Sequence, residues 1–373
     1  MKVLILTISA GQGHHQTAKA ISESLEEKGA QCSVLDAYKY ISKFLSDSVE
    51  KGYLLSTKYT PHFYAKAYRL AEKKENVIKD THFNVVKFAN TVMGKKRFEY
   101  IEDYNPDVVI CTHNFAAITM TYFAPRLPHV TTIGIITDFT VHPFWEEADL
   151  DYYVTASSLL NYQCEKKGIE FDKILPFGIP IRKKFASSLP KEDARKLLNI
   201  EDKPTIMVMM GSMGYGNISK MIKRIDALKL DFQILCVCGN NAKLKKNIDK
   251  IKSAHRIYNY GFVDNVDIMM DASDFIVTKP GGLSMSESLA KGIPAVLVNP
   301  IPGQEDRNLE FLLNNGLAMA VTPTFPIDEA VYQLFINRWR WNRNHEATEL
   351  IRKPDAAEAL ADFVMGLGKN KDE

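Results

Sequence analysis

Short runs of β-branched and other apolar residues alternate with stretches of helical periodicity along most of the chain. Near-continuous apolar runs of this length are typical of strands buried on both faces of a parallel sheet, with helices as crossovers. In the first half we predict strands at Val3–Ile8, Cys32–Leu35, Val108–Cys111, Val130–Thr137 and Tyr152–Thr155. In the second half we predict strands at Thr205–Met210, Phe232–Val237, Arg256–Tyr258, Phe275–Thr278 and Ala295–Val298, with Ala318–Val321 as a weaker candidate.

A break rich in turn residues separates the two series. It contains Leu175-Pro176-Phe177-Gly178-Ile179-Pro180 and Ser187-Ser188-Leu189-Pro190. Two successive βα series joined in this way predict an α/β protein with two Rossmann-like doubly wound domains. We place the first domain at 1–180, a linker at 181–203 and the second domain at 204–345, with 346–373 following it.

One segment, from about 38 to 100, breaks the alternation and is predicted to be a helical insertion. Between Lys58 and Glu99 it has ten basic and four acidic side chains, a local charge of +6, with aromatic residues interleaved. A basic, aromatic segment suits an anionic membrane surface. The same composition also fits a helical insertion whose aromatic residues face their own core, and the residues alone leave both interpretations open.

Composition narrows the class of protein. The chain has 373 residues, 46% hydrophobic and 25% charged, which is close to the average of soluble globular proteins. A formal net charge of +2 gives no support to nucleic-acid binding. The first apolar run leads into Gly11 and Gly13, so we read it as a strand and its turn and not as a signal peptide. The five cysteines form no CxxC pair, which favours reduced buried thiols.

The first motif, Gly11-Gln12-Gly13-His14-His15, directly follows the first strand and opens a helix. Glycines let a backbone approach a ligand closely, and a helix N-terminus favours negative charge. The dinucleotide fingerprint GxGxxG is incomplete, because Gln16 stands where its third glycine belongs. His14 is placed to act as a base, a hydrogen-bond donor or a phosphate partner, unless it only caps the helix.

The second motif runs from Thr278 to Ala290 and contains Lys279-Pro280-Gly281-Gly282-Leu283-Ser284. It follows a strand and leads into a helix, which is a favourable arrangement for binding an anion. Glu287 lies one turn further on, where a carboxylate can reach two ribose hydroxyls or simply offset the helix dipole. A third motif after the next strand carries Gln304 and Glu305, an amide and a carboxylate suited to reading sugar hydroxyls.

Weaker signals follow other strands of the same two series. In the second half they are Gly211 and Ser212, Gly239 and Asn240, and the short edge Gly261-Phe262-Val263. In the first half Asp138 ends a strand, with His142 and Trp145 downstream. Polar residues at the carboxyl ends of parallel strands are often functional, although an aspartate there is about as often a helix cap.

Gly11–His14, Thr137–Phe139, Lys279–Leu283, Glu287 and Pro302–Glu305, in this order, resemble the glycolipid-forming glycosyltransferases of family 28. These are the bacterial diacylglycerol glucosyltransferases and the plant monogalactosyldiacylglycerol synthases. The enzyme that adds N-acetylglucosamine to make lipid II is a more distant relative. The resemblance runs from residue 3 to about 321. It implies a GT-B fold with a cleft between the two domains, and a return helix within 346–373.

The resemblance also implies roles for individual residues. Val263 would hold the uracil, Glu287 the ribose, and Gln304 and Glu305 the sugar. The rest of the donor site would comprise Gly13, Gly211, Ser212, Gly239, Asn240, Lys279, Gly281, Gly282, Leu283 and Ser284. His14 and Asp138 are the two candidates for the general base, and His14 is favoured. The family works without a metal or cofactor, so none is expected.

The implied reaction is inverting transfer of a hexose from UDP-glucose or UDP-galactose to diacylglycerol, giving a β-glycoside. The basic segment, including Lys95, Lys96 and Arg97, falls where this family binds membranes. The resemblance therefore implies a cytoplasmic enzyme peripheral on the inner face of the cell membrane, with no nucleic-acid partner. Three other functions stay open: a dinucleotide-dependent oxidoreductase, a UDP-sugar epimerase, and a non-enzymatic sensor of sugar nucleotides.

Overall fold

The computed structural model describes residues 1–8, 12–37, 98–211 and 216–369. Ser212 and the predicted membrane residues Lys95, Lys96 and Arg97 lie outside these ranges, as does most of the predicted insertion at 38–100. The chain divides into two compact units. The first unit comprises 1–183, 301–307 and 355–373, and the second comprises 184–300 and 308–354.

The strands and helices follow one another in the βα alternation that the apolar pattern predicts. In chain order they are β1 (Lys2–Thr7), α1 (Gln12–Glu27), β2 (Gln31–Asp36), β3 (Val108–Cys111), α2 (Asn114–Phe123), β4 (Thr131–Ile135), β5 (Tyr152–Val154), α3 (Asn161–Lys166), β6 (Ile174–Leu175), α4 (Lys191–Leu197), β7 (Thr205–Met209), α5 (Ile218–Asp226), β8 (Gln233–Val237), α6 (Ala242–Asp249), β9 (Arg256–Tyr260), α7 (Val266–Ala272), β10 (Phe275–Thr278), α8 (Gly282–Ala290), β11 (Ala295–Leu297), α9 (Gln304–Asn314), β12 (Ala318–Ala320), α10 (Ile327–Ile336), α11 (Arg338–Ile351) and α12 (Ala356–Lys369).

Each unit contains a six-stranded sheet in which every neighbouring pair is parallel. The strand orders are β2-β1-β3-β4-β5-β6 and β12-β11-β10-β7-β8-β9. Counted from β7, the second sheet has the Rossmann order 3-2-1-4-5-6. The predicted α/β class with two doubly wound domains is therefore confirmed.

The central strands of the first sheet, β1, β3 and β4, are buried on both faces, whereas the edge strand β2 is partly exposed. All four residues of β3 are buried. On one face, Ala18, Ile21 and Leu25 of α1 pack in one cluster with Leu360 and Val364 of α12. The long side chains on strands and helices thus exclude water from both sides, which explains the near-continuous apolar runs of the sequence.

On the other face of the first sheet, Gly134 in β4 allows a very close approach by Trp145. An added Cβ at Gly134 would lie 2.8 Å from the Trp145 ring. Trp145 belongs to the short 3-10 helix Pro143–Glu147 that follows β4. This contact presses the segment after β4 against the sheet, and that segment carries residues of the candidate site.

The structure differs from the prediction at strand β6, at the linker and at the end of the second domain. Strand β6 was not predicted, because its two residues are too few to give a periodic signal. It lies at the start of the predicted turn-rich break. The predicted linker 181–203 contains α4, and from Lys184 onward it belongs to the second unit. Arg195 of α4 bonds the Ala272 carbonyl at 3.1 Å and pairs with Asp274 at 2.9 Å, so long-range polar contacts fix this stretch.

A buried ion pair attaches the same stretch to the second unit. Lys291 Nζ lies 2.7 Å from Asp271 Oδ2, and the two side chains are only 2% and 3% exposed. Lys291 also donates to the Ser187 carbonyl, and Asp271 accepts from the Leu189 backbone N–H. Because both charges are paired and further hydrogen-bonded, their desolvation is compensated.

The chain returns to the first unit at its end. Helix α11 extends to Ile351, past the predicted boundary at 345, and α12 then packs against α1. Lys28 pairs with Asp362 at 2.6 Å across this contact.

Among the helices of the described ranges, none has the length and apolar character needed to cross a bilayer.

Candidate functional site

His14 lies where three strands of the first unit end. It is in the first turn of α1, just after β1. Its Nδ1 is 2.7 Å from the carbonyl oxygen of Thr112, which follows β3. Thr137 Oγ1, just beyond β4, is 3.2 Å from the same nitrogen. In open α/β sheets ligands bind at such an edge, and the strand order changes direction here between β1 and β3.

The hydrogen bond to Thr112 determines the tautomer of His14. A carbonyl oxygen only accepts, so the ring nitrogen facing it must be the one that carries hydrogen. In the neutral ring, Nε2 then holds the free lone pair, and within the described ranges no residue bonds this nitrogen. Burial lowers the pKa of His14, although the charge of Asp138 and the bond to Thr112 oppose the shift. His14 is therefore a neutral proton acceptor near pH 7.

His113 packs against His14, with ring centroids 4.6 Å apart. It is the N-cap of α2, and its Nδ1 accepts from the Phe115 N–H at 3.2 Å. Burial, and then the neighbouring His14 and His142, hold the pKa of His113 well below its usual value. Sequence reasoning missed this residue. The signal available was its position directly after the buried strand β3, the same kind of signal that identified Asp138.

His142 completes a cluster of three histidines. Its Nδ1 accepts from the Phe144 N–H at 3.1 Å and so caps the 3-10 helix that follows. Burial lowers the pKa of His142 to about 3, with smaller contributions from Lys167 and Arg307. His113 and His142 are thus uncharged near neutral pH. When His14 takes up a proton, neither His113 nor His142 carries a positive charge that would oppose it.

Asp138, the other candidate base, is engaged with Gln304. Its Oδ2 accepts from Gln304 Nε2 at 2.5 Å. Gln304 is the first residue of α9, and residues 301–307 are grouped with the first unit. The structure thus brings together two residues that the sequence assigned to different tasks, the base and the sugar site.

Glu305 and Asp306, in the first turn of α9, accept hydrogen bonds from the loop that precedes this helix. Glu305 Oε2 accepts from the Ile301 N–H at 2.7 Å, and Asp306 Oδ2 accepts from the Gly303 N–H at 3.0 Å. Both bonds satisfy backbone donors at the start of the helix. At least one oxygen of Glu305 therefore supports the loop, in addition to its predicted role in reading the sugar.

In the second unit, the loop Lys279–Ser284, predicted to bind an anion, lies at the point where the strand order changes direction, between β7 and β10. Lys279 and Pro280 follow β10, and α8 begins at Gly282. Gly281 is the N-cap of α8 and no side chain caps this helix. The first amides of α8 are therefore not taken up by a capping side chain, which leaves them suited to an anion. Leu283 and Ser284 fall in this first turn.

Other predicted donor residues line the same edge of the second sheet. Gly211, directly after β7, has a φ of +67°, and Gly239, before Asn240 and after β8, has a φ of +56°. A Cβ on Gly261 would lie 3.8 Å from the Gly239 carbonyl oxygen, so the turns after β8 and β9 are adjacent. Val263 lies two residues beyond Gly261 and is half-buried. Glycine is favoured at 211 and 239 because most other residues rarely adopt a positive φ.

Asn308 stabilises the loop that follows β10. It is fully buried, and its Nδ2 donates to the Pro280 carbonyl at 3.0 Å. The amide thus connects the loop after β10 to α9. Sequence reasoning did not single out Asn308, because its partner lies 28 residues away.

Metal ligands were not expected in either unit. In the described ranges, no three His, Cys, Asp or Glu side chains are grouped so that they could hold a metal ion. The expectation of a metal-free, cofactor-free reaction stays a prediction.

The neutral state of His142 predicts a pH-dependent stability. Its pKa is about 3 in the folded chain and about 6.5 when unfolded, so the unfolded state binds more protons below pH 6.5. The contribution of His142 to the free energy of unfolding is complete above pH 6.5 and decreases as the pH falls to about 3. On acidification from about pH 7.5 to about pH 5, we expect protonation linked to His142 to lower the free energy of unfolding by about 2 kcal/mol.

His142→Asn keeps an oxygen that can accept from the Phe144 N–H but does not titrate. Urea denaturation followed by tryptophan fluorescence at both pH values measures the difference. The variant should lose about 2 kcal/mol less than the wild type on acidification. Equal losses in the two proteins would show that His142 is not kept neutral by the fold.

Comparison with known proteins agrees with this architecture. Residues 14–181 match the family model of monogalactosyldiacylglycerol (MGDG) synthase, and residues 190–322 match that of glycosyl transferases group 1. Among solved structures, MurG of Acinetobacter baumannii superposes with a TM-score of 0.62 at 16% identity, covering 98% of this chain and 99% of that one. The calicheamicin glycosyltransferase CalG4 gives a TM-score of 0.67 at 14% identity, covering 99% and 98%. The GT-B fold is thereby confirmed.

Sequence relatives define the family more closely. A processive diacylglycerol beta-glucosyltransferase of Bacillus pumilus is 31% identical over 342 residues, which cover 89% of this chain and 86% of that protein. The protein of the same name from Bacillus subtilis is 28% identical, with 98% and 94% covered. The chain therefore belongs to the family of the monogalactosyldiacylglycerol synthases and processive diacylglycerol glucosyltransferases, and it is a glycosyltransferase.

Proposed function

We propose that this enzyme transfers a glucosyl group from UDP-glucose to diacylglycerol with inversion, giving a β-glucosyl diacylglycerol. The names of the relatives support the acceptor and the sugar. The observation that carries the reaction is the neutral His14, whose Nδ1–H is fixed by Thr112 and whose Nε2 is left to accept a proton.

The reaction is a single displacement at the anomeric carbon. The acceptor oxygen forms a bond to that carbon while the bond to the β-phosphate oxygen of UDP breaks, and His14 Nε2 takes the hydroxyl proton. General-base catalysis of this kind typically contributes 10²–10⁴-fold in rate. The negative charge that develops on the departing diphosphate is stabilised by the uncapped amides at the start of α8.

Asp138 supports the base in this scheme. Its charge raises the pKa of His14 against the effect of burial, so it favours the imidazolium that forms during the reaction. The amide of Gln304 holds the carboxylate at 2.5 Å. A carboxylate that stabilises a protonated histidine, without itself taking the proton, is a recurring arrangement in enzymes.

The donor residues are assigned on the second unit. Glu287, one turn into α8, binds the ribose hydroxyls, and Val263 binds the base through its backbone. Residues at the positive end of α8, among them Gly281, Gly282 and Ser284, lie near the diphosphate. Support for these roles comes from the order of the motifs and from the position of their loops at the edge of the second sheet.

The deciding experiment incubates the enzyme with UDP-glucose, UDP-galactose or UDP-N-acetylglucosamine and vesicles containing diacylglycerol. Mass analysis of the lipids should show addition of a hexose from UDP-glucose, and NMR of the product should show a β-linkage. Conversion of a sugar nucleotide to its epimer without any acceptor would contradict the proposal and favour an epimerase.

His14→Ala should lower kcat by about 10²–10⁴-fold, because the proton acceptor is removed. His15→Ala is the matched control: His15 is the adjacent residue of the same helix and is exposed. It should keep wild-type kcat. Steady-state kinetics with saturating donor measures both, and near-full activity of the His14 variant would remove it from the role of base.

Glu287→Ala should raise the KM for the UDP-sugar about 10- to 100-fold and leave kcat nearly unchanged. The hydrogen bonds that ribose hydroxyls donate to a carboxylate are worth about 1.5–3 kcal/mol and are the same in ground and transition states. Glu310→Ala, an exposed acid on α9, is the control and should leave both constants unaltered. A fall in kcat at constant KM would argue against ribose binding by Glu287.

A further inference from the structure

A corner of the second unit exposes large apolar side chains that no part of the described chain covers. It lies where α10 ends and α11 begins, separated only by Asn337. Tyr332 is 42% exposed, Ile336 51% and Trp339 53%. Tyr332 and Ile336 are four residues apart on one face of α10, and Trp339 follows directly after the turn.

Three arginines stand among these side chains. From Asn337 to His345 the sequence contains Arg338, Arg340 and Arg343 and no acidic residue. In the part of the chain that the structure describes, none of the three has a carboxylate within ion-pair distance. The Arg340 guanidinium lies over the Trp339 ring, 4.8 Å from its centroid. The corner thus combines uncompensated positive charge with exposed apolar surface.

The outward position of Trp339 is fixed by its neighbour Trp341. The Trp341 indole N–H donates to the Leu334 carbonyl at 3.1 Å, and its ring packs against the core of the second unit. Lys191 of α4 lies over the same ring, 5.2 Å from its centroid. Because Trp341 points inward and anchors the start of α11, Trp339 is exposed by the fold itself and not by fraying of a helix end.

We propose that this α10–α11 corner, formed by Tyr332, Ile336, Arg338, Trp339, Arg340 and Arg343, binds the surface of an anionic lipid bilayer. Tryptophan and tyrosine favour the interface between headgroups and acyl chains, and arginine binds lipid phosphates. Nucleic acid would match the charge but offers no apolar phase for Ile336. The inference rests on the proposed function in one respect: a diacylglycerol acceptor resides in a bilayer.

This surface is distinct from the basic segment at 38–100, because it belongs to the second unit and to a different part of the sequence. Each basic side chain near an anionic membrane contributes about fivefold to the partition coefficient. Two independent contacts on one chain multiply their effects when both are engaged. Removing the corner should therefore weaken membrane binding even when the other segment is intact.

The charge contribution is tested with Arg338→Gln/Arg343→Gln, both exposed positions, and with Lys243→Gln/Lys246→Gln on α6 as a control of equal charge change. Co-sedimentation uses vesicles of phosphatidylcholine with and without phosphatidylglycerol. The arginine variant should bind the anionic vesicles about 25-fold more weakly than wild type. The lysine variant should bind as wild type does. Equal binding by all three proteins would overturn the proposal.

The apolar contribution is tested at Trp339, the one exposed tryptophan of the three in the sequence. Anionic vesicles carrying a spin-labelled lipid should quench wild-type fluorescence, and Trp339→Phe should lose most of this quenching. Quenching that persists in the variant would show that Trp339 does not enter the bilayer. Thermal unfolding of each variant confirms that it is folded.

Failure of this inference is separable from failure of the proposed function. Transfer to diacylglycerol dispersed in detergent micelles does not require a bilayer, so the corner variants should retain wild-type activity there. Vesicle binding that depends on the corner, in an enzyme that transfers no sugar to diacylglycerol, would contradict only the proposed acceptor. Loss of micellar activity in the corner variants would contradict a role confined to membrane binding.

Discussion

The hydrogen bond from His14 Nδ1 to the Thr112 carbonyl connects the start of α1 to the end of β3 and decides what the histidine can do. The bond selects one tautomer, and burial keeps that tautomer uncharged. The other residues of this edge act on the same ring: Thr137 contacts the bonded nitrogen, His113 packs against it in a T-shaped arrangement, and Asp138 supplies the opposing charge. A histidine in the same position without the bond could present either nitrogen, and the tautomer with hydrogen on Nε2 could not accept a proton there.

The sequence revealed those site residues whose signal lies in their immediate neighbours along the chain. Glycines and polar residues directly after apolar runs identified His14, Asp138 and the loop from Lys279 to Ser284, because parallel strands bring their carboxyl ends to one edge of a sheet. The family resemblance then supplied their order and the GT-B architecture. The two sheets were predictable for the same reason, since strands buried on both faces leave a strong apolar signal.

What the sequence did not reveal depends on contacts between distant residues. Asn308 supports a loop that lies far from it along the chain, and Gln304 bonds a carboxylate that pattern reasoning placed in another role. Strand β6 is too short to give a periodic signal. The stretch from Lys184 to 203 resembled a linker because it is rich in polar and turn residues. Its charged side chains are instead held by Asp274 and Ala272 of the second unit.

The packing of α12 on α1 also constrains how the chain is made. In the first unit, residues 1–183 precede 184–300 and 308–354 along the chain, and residues 355–373 follow them. Leu360 and Val364 are fully buried in the same cluster as Ile21 and Leu25. Until α12 has been synthesised, that apolar face of the first sheet is covered only by α1, although the second unit already has its own core. The nascent chain therefore carries an incomplete first unit while the whole of the second unit is synthesised, and a deletion of α12 would leave part of that apolar surface exposed.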